Sequence, residues 1–187
     1  MRLSPILLLA ALAAPLRSQS AGPAQIILIR HAEKPADPKD PHLSSAGRKR
    51  AERLVSFITT DPDMTRFGPP AAIYATATTN DDDGQRTQET VAPLARDLKL
   101  QVQTPYHGKE FAKLAKEILA NSAYDRKTVL ICWNHEVIPE LAAALGVKTE
   151  PEKWKSSVYD LVYIITYDKG KATLNTSRYG KEKDSPK

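Results

Sequence analysis

Two uninterrupted apolar runs dominate the chain: QIILI at 25–29 and TVLICW at 128–133. Neither alternates with polar residues, so each predicts a strand buried on both faces, as in the centre of a parallel sheet. AAIYAT at 71–76 is a shorter strand candidate, and LQVQT at 100–104 alternates as a half-exposed strand would. Helical patterns fill the intervals. After the proline-rich loop at 34–42, Ser44 or Ser45 can cap a helix whose inner stripe is Leu54, Val55 and Ile58. TTDPDMTRFGPP at 59–70 reads as loop, and TTNDDDGQ at 78–85 as an acidic turn. A second helix is expected from about Thr87 to Lys99, with Pro93 tolerated only near its start. KEFAKLAKEILA at 109–120 sets Phe111, Leu114, Ala115, Ile118 and Leu119 on one helical face. A further helix, from 138, ends at Gly146, a natural residue just past a helix end. DLVYIITY and ATLNTSRY, joined through Asp168, Lys169 and Gly170, predict a closing hairpin.

Strands alternate with helices up to about residue 150. The predicted fold class is therefore α/β: a three-layer sandwich with a mostly parallel central sheet flanked by helices. Composition agrees with one domain. The chain has 187 residues, 41% of them hydrophobic, enough for a core that needs no disulfide or metal staple.

The N-terminus changes the expected location. Arg2, the uncharged apolar run from Ile6 to Ala14, and the small-residue site Ser18-Gln19-Ser20 have the order of a secretory signal, with cleavage before Ala21. The run is too short to span a bilayer well. A secreted or periplasmic protein is expected: a leader at 1–20, one domain at 21–180, a tail at 181–187, and no stable membrane insertion. An uncleaved anchor and an apolar first helix are the alternatives. The single cysteine, Cys132, lies in an apolar strand and reads as a buried, inert thiol. Formal charge is +5, and +3 once Arg2 and Arg17 leave with the leader. The basic residues form no long run, so nucleic-acid binding is not expected.

Ligands of such sheets bind at the carboxyl ends of the strands. Two places there carry histidine: Arg30-His31 after the first strand, and Asn134-His135 after TVLICW. A histidine at a strand end is by itself most often structural. Arginine changes that balance, because Arg30 precedes the first histidine and Arg86 sits at the mouth of a predicted helix. Guanidinium groups hold phosphate by forked hydrogen bonds, and helix starts add amide donors. Two imidazoles with two guanidiniums describe a phosphate pocket containing a nucleophile. A metal site is not expected: His31, Glu33, His42, His107 and His135 show no His-x-x-x-His spacing, and no cysteine pair exists.

These segments resemble the histidine phosphatase, or phosphoglycerate mutase-like, superfamily. LIRHAEK is similar to its Arg-His-Gly signature, and LSSAG at 43–47 to the helix start that follows. The segment from Tyr74 to Thr90 is similar to its strand and Arg-x-x-x-Thr element, and VLICWNHEVIP to the strand that ends in a second histidine. Order and spacing agree from residue 25 to about 168. The resemblance implies a phosphoglycerate mutase-like fold and, together with the expected leader, an exported phosphatase that hydrolyses a small phosphomonoester through a phosphohistidine, without a cofactor. His31 would be the nucleophile; Arg30, Arg86 and His135 would bind the phosphoryl group. Two carboxyls compete to protonate the leaving oxygen. Glu110 is favoured by order along the chain, and Glu136 directly follows His135. Lys34 would add a cation near the pocket or point to solvent. Ala32 departs from the usual glycine, and the acidic stretch before Arg86 is unusual beside a phosphate site. The alternative function is a non-catalytic phosphate- or anion-binding module on the same fold.

Overall fold

A computed structural model describes residues 21–78, 84–149, 151 and 153–179. The expected leader, the tail and the acidic residues Asn80 to Asp83 lie outside the described residues. Six strands form one sheet: β1 (Gln25–Arg30), β2 (Pro70–Ala75), β3 (Val102–Gln103), β4 (Thr128–Trp133), β5 (Leu161–Asp168) and β6 (Lys171–Arg178). Their order is β3-β2-β4-β1-β5-β6. The four strands from β3 to β1 run parallel, whereas β5 joins β1, and β6 joins β5, antiparallel. The helices are α1 (Ser45–Thr60), α2 (Pro62–Thr65), α3 (Gln85–Asp97), α4 (Phe111–Ala120) and α5 (Ile138–Ala144).

The two apolar runs become the central strands, and all six residues of each are buried. Alternate side chains go to opposite faces, as the pleat requires. Ile26 and Leu28 pack with Leu114, Ile118, Ile138 and Leu141 of α4 and α5. Ile27 and Ile29 pack with Leu54, Ile58, Val91 and Leu94 of α1 and α3. Each fully buried aliphatic side chain contributes roughly 1.5–3 kcal/mol, so the three layers are held by two separate cores, one on each face of β1 and β4. Cys132 is buried in the α1/α3 core, and this burial pushes its thiol pKa up.

Three expectations need correction. The stretch 59–70 is not all loop, because α2 forms over Pro62–Thr65, where Asp61 caps the Asp63 N–H and Pro62 opens the helix. The helix expected from about Thr87 runs over Gln85–Asp97 instead, and Pro93 lies inside it. A proline there removes the bond to the Glu89 carbonyl, but Pro93 is buried on the face that carries Thr90 and Leu94, so packing offsets the loss. The third concerns the helix expected to begin at 109. Its first turn is a 3-10 turn over Gly108–Glu110, and α4 proper starts at Phe111.

The hairpin closes on Lys169 and Gly170, both at positive φ (48° and 77°), the conformation of a two-residue turn that follows strand twist. Gly146 just past α5 has φ 96°, matching its expected place.

Candidate active site

The stiffness of β1 fixes where Arg30 and His31 stand. Arg30 is 2% exposed. Its Nη1 donates to the carbonyls of Ser156 (2.7 Å), Val158 (3.0 Å) and Lys155 (3.4 Å). Its guanidinium lies 4.0 Å from the centre of the Tyr159 ring. The Nε is buried without a hydrogen-bond partner, and no carboxylate among the described residues forms an ion pair with Arg30. This is a buried cation with neutral partners on one side and an unsatisfied donor besides. Desolvation lowers its pKa, only partly opposed by Tyr159.

His31 leaves the strand next. Its Nδ1 is 2.7 Å from the Ala32 carbonyl. A carbonyl only accepts, so Nδ1 carries the proton and Nε2 keeps its lone pair. Burial pushes the imidazole pKa down to about 4, and the charges of Arg30, Arg86 and His135 press it the same way, against the Ala32 bond that raises it. The ring is therefore neutral at neutral pH. The edge of Tyr159 closes one side of it, with centroids 6.1 Å apart.

The backbone after His31 is fastened at successive positions. The Ala32 N–H donates to Thr90 Oγ1 (2.8 Å), whose own hydroxyl donates to the Arg86 carbonyl (2.7 Å). The Ala32 methyl is fully buried with Leu43 and Ala51. Alanine in place of the usual glycine thus fills a small cluster. The Glu33 carbonyl accepts from the Ser44 N–H (2.9 Å), and Ser44 caps α1 through the Gly47 N–H. Gly47 is required there, since a Cβ would lie 2.4 Å from the Glu33 oxygen. The Glu33 carboxylate holds Arg50 by a fork, Nε at 2.8 Å and Nη2 at 2.5 Å to Oε1. Arg50 in turn donates to the Tyr179 carbonyl (3.2 Å). Glu33, to which sequence reasoning gave no role, thus ties the nucleophile's loop to α1 and to the residue after β6.

The other candidates sort into two groups. His135 follows β4 and is half-buried. Burial lowers its pKa, with Arg30 and Lys34 acting the same way and Glu136 opposing. Arg86 opens α3 and bridges to the proline-rich loop, donating to the carbonyls of Asp40 (2.5 Å) and His42 (3.3 Å). Arg30, Arg86 and His135 therefore all act on His31, and Arg30 and Lys34 act on His135. Glu136 and His135 both line a cavity of about 660 Å3, with Pro139, Lys153, Trp154, Lys155 and Ser156. Glu110 lies in the 3-10 turn whose Gly108 carbonyl accepts from Trp133 Nε1 at the end of β4 (2.9 Å). Its carboxylate binds Lys113 Nζ (2.7 Å) and the His107 N–H (3.1 Å), and these bonds, Lys113 foremost, lower its pKa. That is the reverse of what a proton donor needs. Tyr159 was missed by sequence reasoning; an aromatic residue just before a strand carries no signal of a site.

No family model matches the chain, and no curated protein matches it. Solved structures do. The mycobacterial glucosyl-3-phosphoglycerate phosphatase in complex with VO3 aligns at TM-score 0.59 and 12% identity, covering 84% of this chain and 100% of that one. The α-ribazole phosphatase from Shigella flexneri aligns at TM-score 0.54 and 16% identity, covering 82% and 96%. A phosphoserine phosphatase mutant from Entamoeba histolytica, in complex with phosphoserine, aligns at TM-score 0.51 and 14% identity, covering 83% and 95%. The chain shares the fold of these phosphatases, the phosphoglycerate mutase-like fold that its motifs imply.

Proposed function

We propose that this chain is an exported phosphatase that hydrolyses a phosphomonoester through a phosphohistidine on His31. The observation that carries the reading is the pairing of a buried guanidinium at Arg30, with no carboxylate ion pair among the described residues, with a neutral imidazole beside it. An unpaired buried cation is costly unless an anion joins it, and a dianionic phosphoryl group supplies that anion next to a ready nucleophile.

In the first step the His31 Nε2 lone pair bonds to phosphorus while the bond to the leaving oxygen breaks. Arg30, Arg86 and His135 offset the charge on the equatorial oxygens, which is where most of the rate gain in such transfers arises. The leaving oxygen takes a proton from a carboxyl. We assign this to Glu136, which lines the cavity beside His135, rather than to Glu110, whose bonds hold it ionised. In the second step water attacks phosphorus and gives a proton to the Glu136 carboxylate as the N–P bond breaks, which restores His31 and the acid. Lys34 stands at the rim of this arrangement. The apolar run at residues 6–14 supports export, and cleavage before Ala21 would release the soluble domain.

Rapid acid or alkali quench of the protein with 32P-labelled phenyl phosphate tests the reading. Label is expected on His31, stable to alkali and lost in acid, and absence of label during steady turnover would sink the covalent route. The choice of acid has its own test. Glu136→Gln should slow turnover of an alkyl phosphate by about 100-fold, and that of p-nitrophenyl phosphate far less, because p-nitrophenolate leaves without help. Glu110→Gln should change both by less than about threefold; the opposite pattern returns the role to Glu110.

A further inference from the structure

The cavity beside His135 is too large for a phosphoryl group alone. Its volume is about 660 Å3, and it shares Glu136, Pro139 and Lys153 with a second hollow of about 510 Å3 that runs along α5 past Glu140, Ala143 and Lys148. Sites of 300–1,000 Å3 hold whole small molecules.

The cavity's charge is uneven. Lys153 and Lys155 face it, against the single carboxylate of Glu136 among the described lining residues. The two lysines are exposed, yet the segment bearing them is rooted. Trp154 between them is 3% exposed, stacks on Tyr163 at 4.9 Å, and donates from Nε1 to the Val158 carbonyl (2.9 Å). The carbonyls of Lys155 and Ser156 hold Nη1 of Arg30. The residue that would grip the phosphoryl group therefore also anchors the backbone of the segment that carries the lysine pair.

We infer that the cavity beside His135 is a leaving-group subsite for an alcohol that carries a second anionic group, a carboxylate or a further phosphate, held by Lys153 and Lys155. The inference rests on the phosphatase reading for the identity of the first anion. Cations on a segment anchored to Arg30 reward a substrate with two anions over one with a single anion.

The test uses two ligands that cannot be hydrolysed, so it is read whether or not the protein turns over: phenylphosphonate and 4-carboxyphenylphosphonate, by calorimetry at low salt. The carboxylated ligand is expected to bind about tenfold tighter, the size of one or two partly exposed ion pairs. The preference should shrink in 0.5 M salt, where screening is strong. Lys153→Met with Lys155→Met should bring the ratio to about one, and Lys153→Arg with Lys155→Arg should keep it. A ratio near one in the wild type, or a preference that survives the double Met variant with its far-UV spectrum intact, overturns the subsite. Both phosphonates binding while phenyl phosphate is never hydrolysed would instead overturn the phosphatase reading and leave the subsite standing.

Discussion

His31→Ala should lower turnover of phenyl phosphate by about 10,000-fold or more, the scale at which loss of a covalent nucleophile is felt. Binding of inorganic phosphate, followed by calorimetry, should weaken by no more than about tenfold, because Arg30, Arg86 and His135 remain. Turnover that survives the substitution would remove His31 from the chemistry. A wild-type protein that binds phosphate but turns over no monoester would establish the anion-binding module instead. The same side chain sets an acid limb. With its pKa near 4, the imidazole keeps its lone pair well below neutrality, so kcat/KM, corrected for the substrate's own ionisation, should hold to about pH 5 and fall below it. Stability has a related signature. Unfolded histidine protonates near 6.5 and the folded His31 only near 4. Between those values the unfolded chain binds the extra proton, so His31's contribution to stability is lost as pH falls through that window. The melting temperature should therefore drop more between pH 7 and pH 5 in the wild type than in His31→Ala.

The second large effect comes from a position that touches no substrate. Gly47→Ala places a methyl carbon 2.4 Å from the Glu33 oxygen and 3.1 Å from its nitrogen. Both are backbone atoms, so no side chain can swing away. Either α1 retreats or the loop after His31 shifts, and the Ser44 bond to the Glu33 carbonyl is strained in both cases. A cost of about 3 kcal/mol is expected, or about 10 °C in melting temperature for a chain of this length. Activity of the folded fraction should fall as well, since Ala32 and His31 move with Glu33. Gly108→Ala is the control, because its Cβ would meet only the Asn134 side-chain amide, at 3.0 Å. Equal melting temperatures for the two variants would show that the Gly47 contact relaxes freely.

What was legible in the sequence was legible for identifiable reasons. β1 and β4 are buried on both faces, and only an unbroken apolar run satisfies that. Arg30, His31, Arg86 and His135 sit at strand or helix ends, where the topology of a parallel sheet gathers them. The antiparallel insertion of β5 beside β1 was not legible, because a strand's pattern records its burial and not its neighbour. Nor were the partners of Arg30. They are backbone carbonyls 125 to 128 residues away, and a carbonyl belongs to every residue type. Glu33 and Arg50 pair across 17 residues, a spacing that no helical or strand period marks. Glu110 shows a related limit: its order along the chain suits an acid, and that order does not reveal the Lys113 ammonium its carboxylate meets.

The place of β1 in the sheet bears on how the chain folds. It is made first, yet β4 begins 103 residues later, and β5 on its other side comes later still. Until both have been synthesised, β1 is an apolar strand with two open edges, and Arg30 has no carbonyls to hold. A nascent chain therefore cannot assemble its pocket early, and such long-range pairing folds slowly. The chain stays threadable until synthesis is almost complete, as the export proposed above would require.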